Sequence, residues 1–306
     1  MPQTTFKSFH SLSVEHPGFA KHPRFWTAHQ LAVVNCSFQQ VESDDKQEYV
    51  IPDTEQAQRM TKLASMLARG VRREAKSSGW VAGLLLDNKP TPITLIYAPF
   101  FFDYGGHRVR LGNSKVIIYG IKHDISIPHA NPIIGYYEYN ADKERQNMLY
   151  VPPGPNGLDN GPIQGICDIR YCQVTPTDWR HDPYFVCLLI GLAQLQVREG
   201  LAPQEGMFLA RLLVTNVTNL ANAYVYKADI PHQLLDSLDH PTRTIDDFVF
   251  TKVNYVVVPF EPYSTFADRV RFQLAGAEYS SSPGPVRSDQ VVASEPHGEK
   301  RKRDEE

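Results

Sequence analysis

The sequence predicts an α+β fold on three observations. A helical stripe of Met60, Leu63, Leu67 and Val71 is followed by a long β-textured run from 80 to 174, and then by a renewed alternation of helix and strand. The strands of the middle run are separated by short turn signals, so their pairing is expected to be mainly antiparallel.

Composition sets the outer bounds. At 306 residues the chain has room for one large domain or two small ones. Its 42% hydrophobic and 21% charged residues describe a folding chain, and a net charge of −3 exerts no overall pull on nucleic acid or an anionic membrane. Cys36, Cys167, Cys172 and Cys187 form neither a C-x-x-C pair nor a regular framework, and are expected as reduced thiols in cytosol or nucleus. The longest apolar run starts at Tyr184 and covers about ten residues, half of what spans a bilayer, so no membrane partner is expected.

Residues 1–24 mix Lys7, Glu15, Lys21 and histidines without an apolar run, which suggests a flexible start rather than a signal peptide. The segment 25–40 carries Leu31, Val33, Cys36 and Phe38 between polar residues and reads as a short strand. Asp53 with Gln56 three residues on resembles a capping pair, so a helix is expected to begin there. Gly70 weakens its last turn and Ser77-Ser78-Gly79 ends it. Branched and aromatic runs at 81–86, 93–102, 116–121, 133–139, 148–151 and 166–174 are then expected as strands. Tyr104-Gly105-Gly106 is one of the hairpin signals between them. The Pro/Gly-rich stretch 152–162 is the best internal boundary, dividing the folded part into 25–174 and 175–279, whether as one domain or two.

The second part opens on Asp182-Pro183, an acid at the N-cap before a first-turn proline, with a helix apolar nearly all round through Gln196. Strands at 207–215 and 223–230, a short helix with Leu234, Leu235 and Leu238, a strand at 248–259 and a helix at 265–274 complete an αββαβα unit. From Ser280 the chain is polar and is expected as a disordered tail.

Several of these segments carry a resemblance. The stretch WRHDPYFVCLLIGLAQLQ from Trp179 to Gln196, YVYKADI from Tyr224 to Ile230, and VPFEPY from Val258 before Thr265-Phe266-Ala267-Asp268-Arg269 resemble a family of uncharacterised filamentous-fungal proteins. The resemblance covers roughly 167–274. It implies a fungal origin and a shared domain, and carries no information on catalysis.

Candidate chemistry is sparse. Lys227-Ala228-Asp229 puts a lysine and an acid on one strand face, in reversed order relative to the D/E-x-K triplet of restriction-endonuclease-like nucleases. The preceding strand holds no acid, so a metal site there lacks its second carboxylate. His123, Asp124 and His129 fail as a metal set in extended chain, where the two histidines stand about 20 Å apart. Cys187 lies mid-helix in apolar surroundings and Asp182 is engaged as a cap, which leaves His181 without a thiol to activate. The helix back with Arg59, Arg69, Arg72, Arg73 and Lys76 reads as solvated surface. The aromatic runs Phe100-Phe101-Phe102 with Tyr104, and Tyr136, Tyr137 and Tyr139, read as core. No G-x-S-x-G elbow and no Gly-rich phosphate loop occurs, and no cofactor is indicated.

Lys300-Arg301-Lys302-Arg303 fits a monopartite import signal, with a nuclear import receptor as its partner. Asp304, Glu305 and Glu306 offset most of its charge, which makes nucleic acid an unlikely partner for the tail. The sequence thus points to a non-enzymatic interaction or regulatory protein of a fungal cell, at least partly nuclear, in nucleus, cytoplasm or both, with an unknown protein partner. A divergent nuclease or other enzyme tested at Lys227 and Asp229, or an accessory protein of a fungal gene cluster, is the alternative.

Overall fold

The computed structural model describes residues 8–16, 21–45, 49, 54–69, 74–86, 93–96, 100–111, 116–121, 133–243 and 252–275. Along them run α1 (Phe9–Glu15), α2 (Ala28–Val33), β1 (Phe38–Gln40), α3 (Glu55–Ala68), α4 (Glu74–Leu86), β2 (Ile93–Ile96), β3 (Phe101–Tyr104), β4 (His107–Arg110), β5 (Val116–Ile121) and β6 (Ile133–Tyr139). There follow α5 (Ala141–Met148), α6 (Gly161–Val174), α7 (Tyr184–Arg198), β7 (Met207–Asn216), β8 (Asn219–Pro231), α8 (His232–Asp239), β9 (Val253–Pro259) and α9 (Tyr263–Ala275).

Seven strands form one mixed sheet in the order β1-β9-β8-β7-β6-β5-β2, and β3 and β4 pair separately as a hairpin. The β1–β9 and β6–β7 ladders are parallel and the others antiparallel. Strand periodicity sorts side chains between two cores. Ile133, Tyr137 and Tyr139 of β6 face the cluster around α7, while Ile134 and Tyr136 face the one built with α3, α4 and α9. Every residue of α7 from Tyr184 to Gln196 is buried, as its all-round apolar pattern predicts. Each large apolar side chain fully removed from water there contributes about 1.5–3 kcal/mol. The two sequence segments share this sheet: β6 from the first pairs with β7 from the second, and β1 with β9.

The α+β class holds, and so does the αββαβα order after residue 175, in α7, β7, β8, α8, β9 and α9. Several expected strands are helices instead. The run 81–86 belongs to α4, where Val81, Leu84 and Leu85 are buried at i, i+3 and i+4, a helical period hidden inside a continuous apolar stretch. Ser77, Ser78 and Gly79 therefore lie within a helix rather than ending one, and Ser77 Oγ donates to Glu138 of β6 at 2.7 Å. The run 166–174 belongs to α6, started by Asn160, whose side chain accepts from the Ile163 N–H, and by Pro162 in the first turn. At 148–151 no strand forms, since Met148 ends α5 and 149–151 have no regular structure, and within 25–40 a helix precedes the three strand residues of β1. The helix expected from Asp53 is capped by Thr54, whose hydroxyl accepts from the Ala57 N–H at 3.2 Å. The start of the chain, expected as flexible, contains α1, with Phe9 and Leu12 in the core.

Among the described residues, no helix is long and apolar enough to cross a membrane. Asp53, Gly70, the histidines at 123 and 129 with Asp124, and the tail from 280 with its basic cluster lie outside the described residues.

Candidate functional site

Lys227 and Asp229 share the β8 face opposite to Tyr226 and Ala228, as period 2 requires, and there each has its own partner. Lys227 Nζ donates to Gln273 Oε1 of α9 at 2.7 Å, and Gln273 Nε2 donates to Ser43 Oγ at 2.9 Å. Arg211, across the ladder on β7, donates to Asp229 Oδ1 at 3.0 Å. Burial pushes the Lys227 ammonium below its ordinary pKa, and the Arg211 charge adds to this against the pull of Asp44 and Asp229. Among the described residues, no group of three histidines, cysteines or carboxylates could hold a metal ion.

Cys187 is fully buried in α7 and its thiol is pushed well up by desolvation, which keeps it protonated and inert. Cys167 and Cys172 sit on α6, Cys172 exposed. Asp182 caps α7 by accepting from the Tyr184 N–H at 2.9 Å, as expected. It also accepts from Arg145 Nη2 at 2.7 Å and from the Tyr139 hydroxyl at 3.0 Å, which no local pattern announced. Arg24, in the segment before α2, pairs with Glu144 beside it and lies 4.7 Å over the Tyr184 ring, so one ion pair ties α5 to the start of α7 and a second ties it to residue 24. Phe100, Phe102, Tyr136, Tyr137 and Tyr139 are core, in line with the sequence reading, and Arg59 and Arg69 are exposed on α3.

The most convergent polar site is a cleft that sequence reasoning missed. It is a half-open cleft between the β3–β4 hairpin, the end of α7 and α8, with a volume of about 520 Å³. Each wall has a local cause. Gly105 and Gly106, at φ +55° and +77°, form the two-residue hairpin turn, and the Gly105 N–H donates to Leu238 O at 2.8 Å, tying the hairpin to α8. Gln194 of α7 grips the hairpin from the other side: it accepts from the Asp103 N–H at 2.9 Å and donates to Asp103 O at 2.8 Å. In α8, Leu234, Leu235 and Leu238 are buried, leaving His232, Asp236 and Asp239 on the cleft side.

Three carboxylates meet there under different constraints. Asp103 accepts from Arg108 Nε and from Arg198 Nη1, each at 2.7 Å. Asp236 accepts from Arg243 Nη1 at 3.0 and 2.7 Å, with His240 Nδ1 at 3.3 Å. Asp239 receives no hydrogen bond and no ion pair from the described residues. It stays open to solvent, yet its carboxyl is held above the ordinary aspartate range, first by partial desolvation and then by Asp103 and Asp236, with His240 and Arg198 opposing. A second cavity, of about 570 Å³, is walled by the 151–164 loop with Asp159 as its charged residue, and lacks such convergence.

No local motif signals the cleft, because Asp103 and Arg198 are 95 residues apart. Neither a protein-family model nor a curated protein matches this chain.

Proposed function

We propose that the chain is a non-enzymatic regulatory protein of a fungal cell, at least partly nuclear, that responds to a small polar ligand bound in the cleft. The observation that carries this reading is the meeting of the hairpin, α7 and α8 around one cavity whose carboxylates are unequally compensated. A ligand seated there touches three separate elements, and occupancy stabilises their arrangement over any other. The non-catalytic part of the reading is supported by how the acids are used. Asp103 and Asp236 are each held by arginine, which leaves both carboxylates less available as bases. The nuclease alternative finds less support, since Asp229 and Lys227 are engaged by Arg211 and Gln273. Fungal origin rests on the resemblance of 167–274, and nuclear entry by an import receptor on Lys300-Arg301-Lys302-Arg303.

The test is a thermal-shift screen of amines, carboxylates, sugars and nucleosides against the full chain and against Val197→Trp, which narrows the cleft from α7. Compounds that raise the melting temperature of the parent and not of the variant support the reading. A panel without effect, or one acting equally on both proteins, overturns it.

A further inference from the structure

We propose that His22 is an acid-sensitive latch: as the neutral imidazole it closes residues 21–26 over the junction of α5 and α7, and as the imidazolium it releases them.

The latch is built from a cap. His22 precedes the short 3-10 turn Pro23–Phe25, and its Nδ1 accepts from the Arg24 N–H at 3.2 Å, so its side chain acts as the N-cap. Only a bare ring nitrogen can accept. Protonation turns both ring nitrogens into donors and sets Nδ1–H against the N–H it had capped. Asparagine or serine would make the same kind of cap without titrating, whereas the acceptor of a histidine disappears on mild acidification.

The residue that is capped is a joint between elements. Arg24 is buried, its guanidinium pairs with Glu144 of α5, and it lies 4.7 Å over the Tyr184 ring at the start of α7. Its carbonyl oxygen accepts from Arg145 Nε at 3.0 Å, so α5 holds both its side chain and its backbone. The bond from the Arg24 N–H is the one that His22 supplies. Two residues on, Trp26 Nε1 donates to Lys21 O at 3.2 Å and closes the segment on itself, with its ring edge-on to Phe102 of β3.

Charge acts in the same direction. Arg24 is the charged group that bears on the His22 ring, while Lys21 beside it is exposed. Behind Arg24 stand Glu144 and Arg145 of α5 and Asp182 ahead of α7, each acid engaged by an arginine. Burial first, and the Arg24 charge second, hold the imidazole below its ordinary value of 6.5. As pH falls below 6.5 the released segment therefore takes up the proton before the closed one does. Closure is fully favoured above 6.5 and weakens from there down to the value of the closed state.

The experiment is NMR-detected hydrogen exchange and histidine titration on the full chain, from about pH 7.5 to about pH 5, the span in which histidine changes charge. The proteins are the parent, His22→Asn, which keeps an acceptor and cannot titrate, and His22→Ala, which has neither. His22 is half-buried and outside both core clusters, so these exchanges leave the core untouched. In the parent, the Arg24 amide is expected to lose about fivefold to tenfold in protection on acidification, after correction for the intrinsic exchange rate, as for a lost helix cap. Amides in the middle of α7 are expected to keep theirs, which separates release of the segment from acid unfolding. His22→Asn is expected to stay protected at both ends of the range and His22→Ala to lack this protection throughout. The His22 ring itself is expected to titrate below 6.5. An Arg24 amide whose protection does not change in the parent, a fall of equal size in His22→Asn, a fall shared by α7, or a ring that titrates at or above 6.5 overturns the latch.

Discussion

The guanidinium of Arg145 lies 2.7 Å from the carboxylate of Asp182, and the two side chains are 2% and 0% exposed. Removing one partner of such a pair strands the other charge in the interior, which typically costs about 3–5 kcal/mol. Asp182→Asn is expected to lose about that much in urea unfolding while keeping its acceptor for the Tyr184 N–H. Arg145→Met combined with Asp182→Asn is expected to lose less than the sum of the single changes, because neither charge is then stranded. Additive losses would show that the pair does not act as a unit.

Gly191 is required by space. A Cβ there would stand 2.8 Å from Leu111 Cδ1 and 3.0 Å from both Phe100 Cε2 and the carbonyl oxygen of Phe101. The leucine end can shift, but the backbone oxygen belongs to β3, which is fixed by its ladder with β4 and packs on α7. Gly191→Ala is therefore expected to destabilise the protein by about 1–3 kcal/mol in spite of alanine's better helix propensity. Chemical denaturation checks this, and a gain in stability would refute the close approach.

Lys227 carries a pH signature. Its folded pKa lies below the ordinary lysine value of 10.5, chiefly through burial. Between those two values the unfolded chain binds the extra proton, so stability rises with pH in that window, and below it the full cost of burying the charged form is present. The stability of the parent relative to Lys227→Met is thus expected to increase as pH rises from neutrality toward 10.5. Urea midpoints for both proteins at several pH values read this directly, and parallel profiles would contradict it.

The reach of the sequence is visible in particular places. β5, β6, α7 and the five elements after it could be read because their apolar spacing agrees with their burial: Leu234, Leu235 and Leu238 of α8 are the clearest case. The α4 and α6 segments read as strands because a short continuous apolar run, as at 81–86, or one with isoleucine, tyrosine and valine, as at 166–174, fits a strand as well as a helix. In α6 the cap signals Asn160 and Pro162 were present and carried the right answer. The cleft was illegible for a different reason. Its acids come from a hairpin and a helix more than a hundred residues apart, and what distinguishes Asp239 is the lack of a partner that its neighbours have. Sequence spacing records neither.

The basic cluster at 300–303 makes a prediction of its own. A fluorescent fusion of the full chain is expected to concentrate in nuclei and a fusion lacking 299–306 to spread through the cell. Equal distributions would remove the import reading.

The strand order has a mechanical consequence. β7, β8 and β9 are contributed by the later half of the chain, yet they are flanked on one side by β6 and on the other by β1, both from the earlier half. The earlier half grips the later one like the two jaws of a vice. Neither half alone can shield the edges that the other covers. Covalent continuity through the 152–162 loop is then dispensable once the sheet has formed, so two polypeptides divided in that loop and expressed together are expected to co-purify as one particle with a single unfolding transition. Expressed separately, each is expected to aggregate, and soluble independent halves would show that the jaws do not hold.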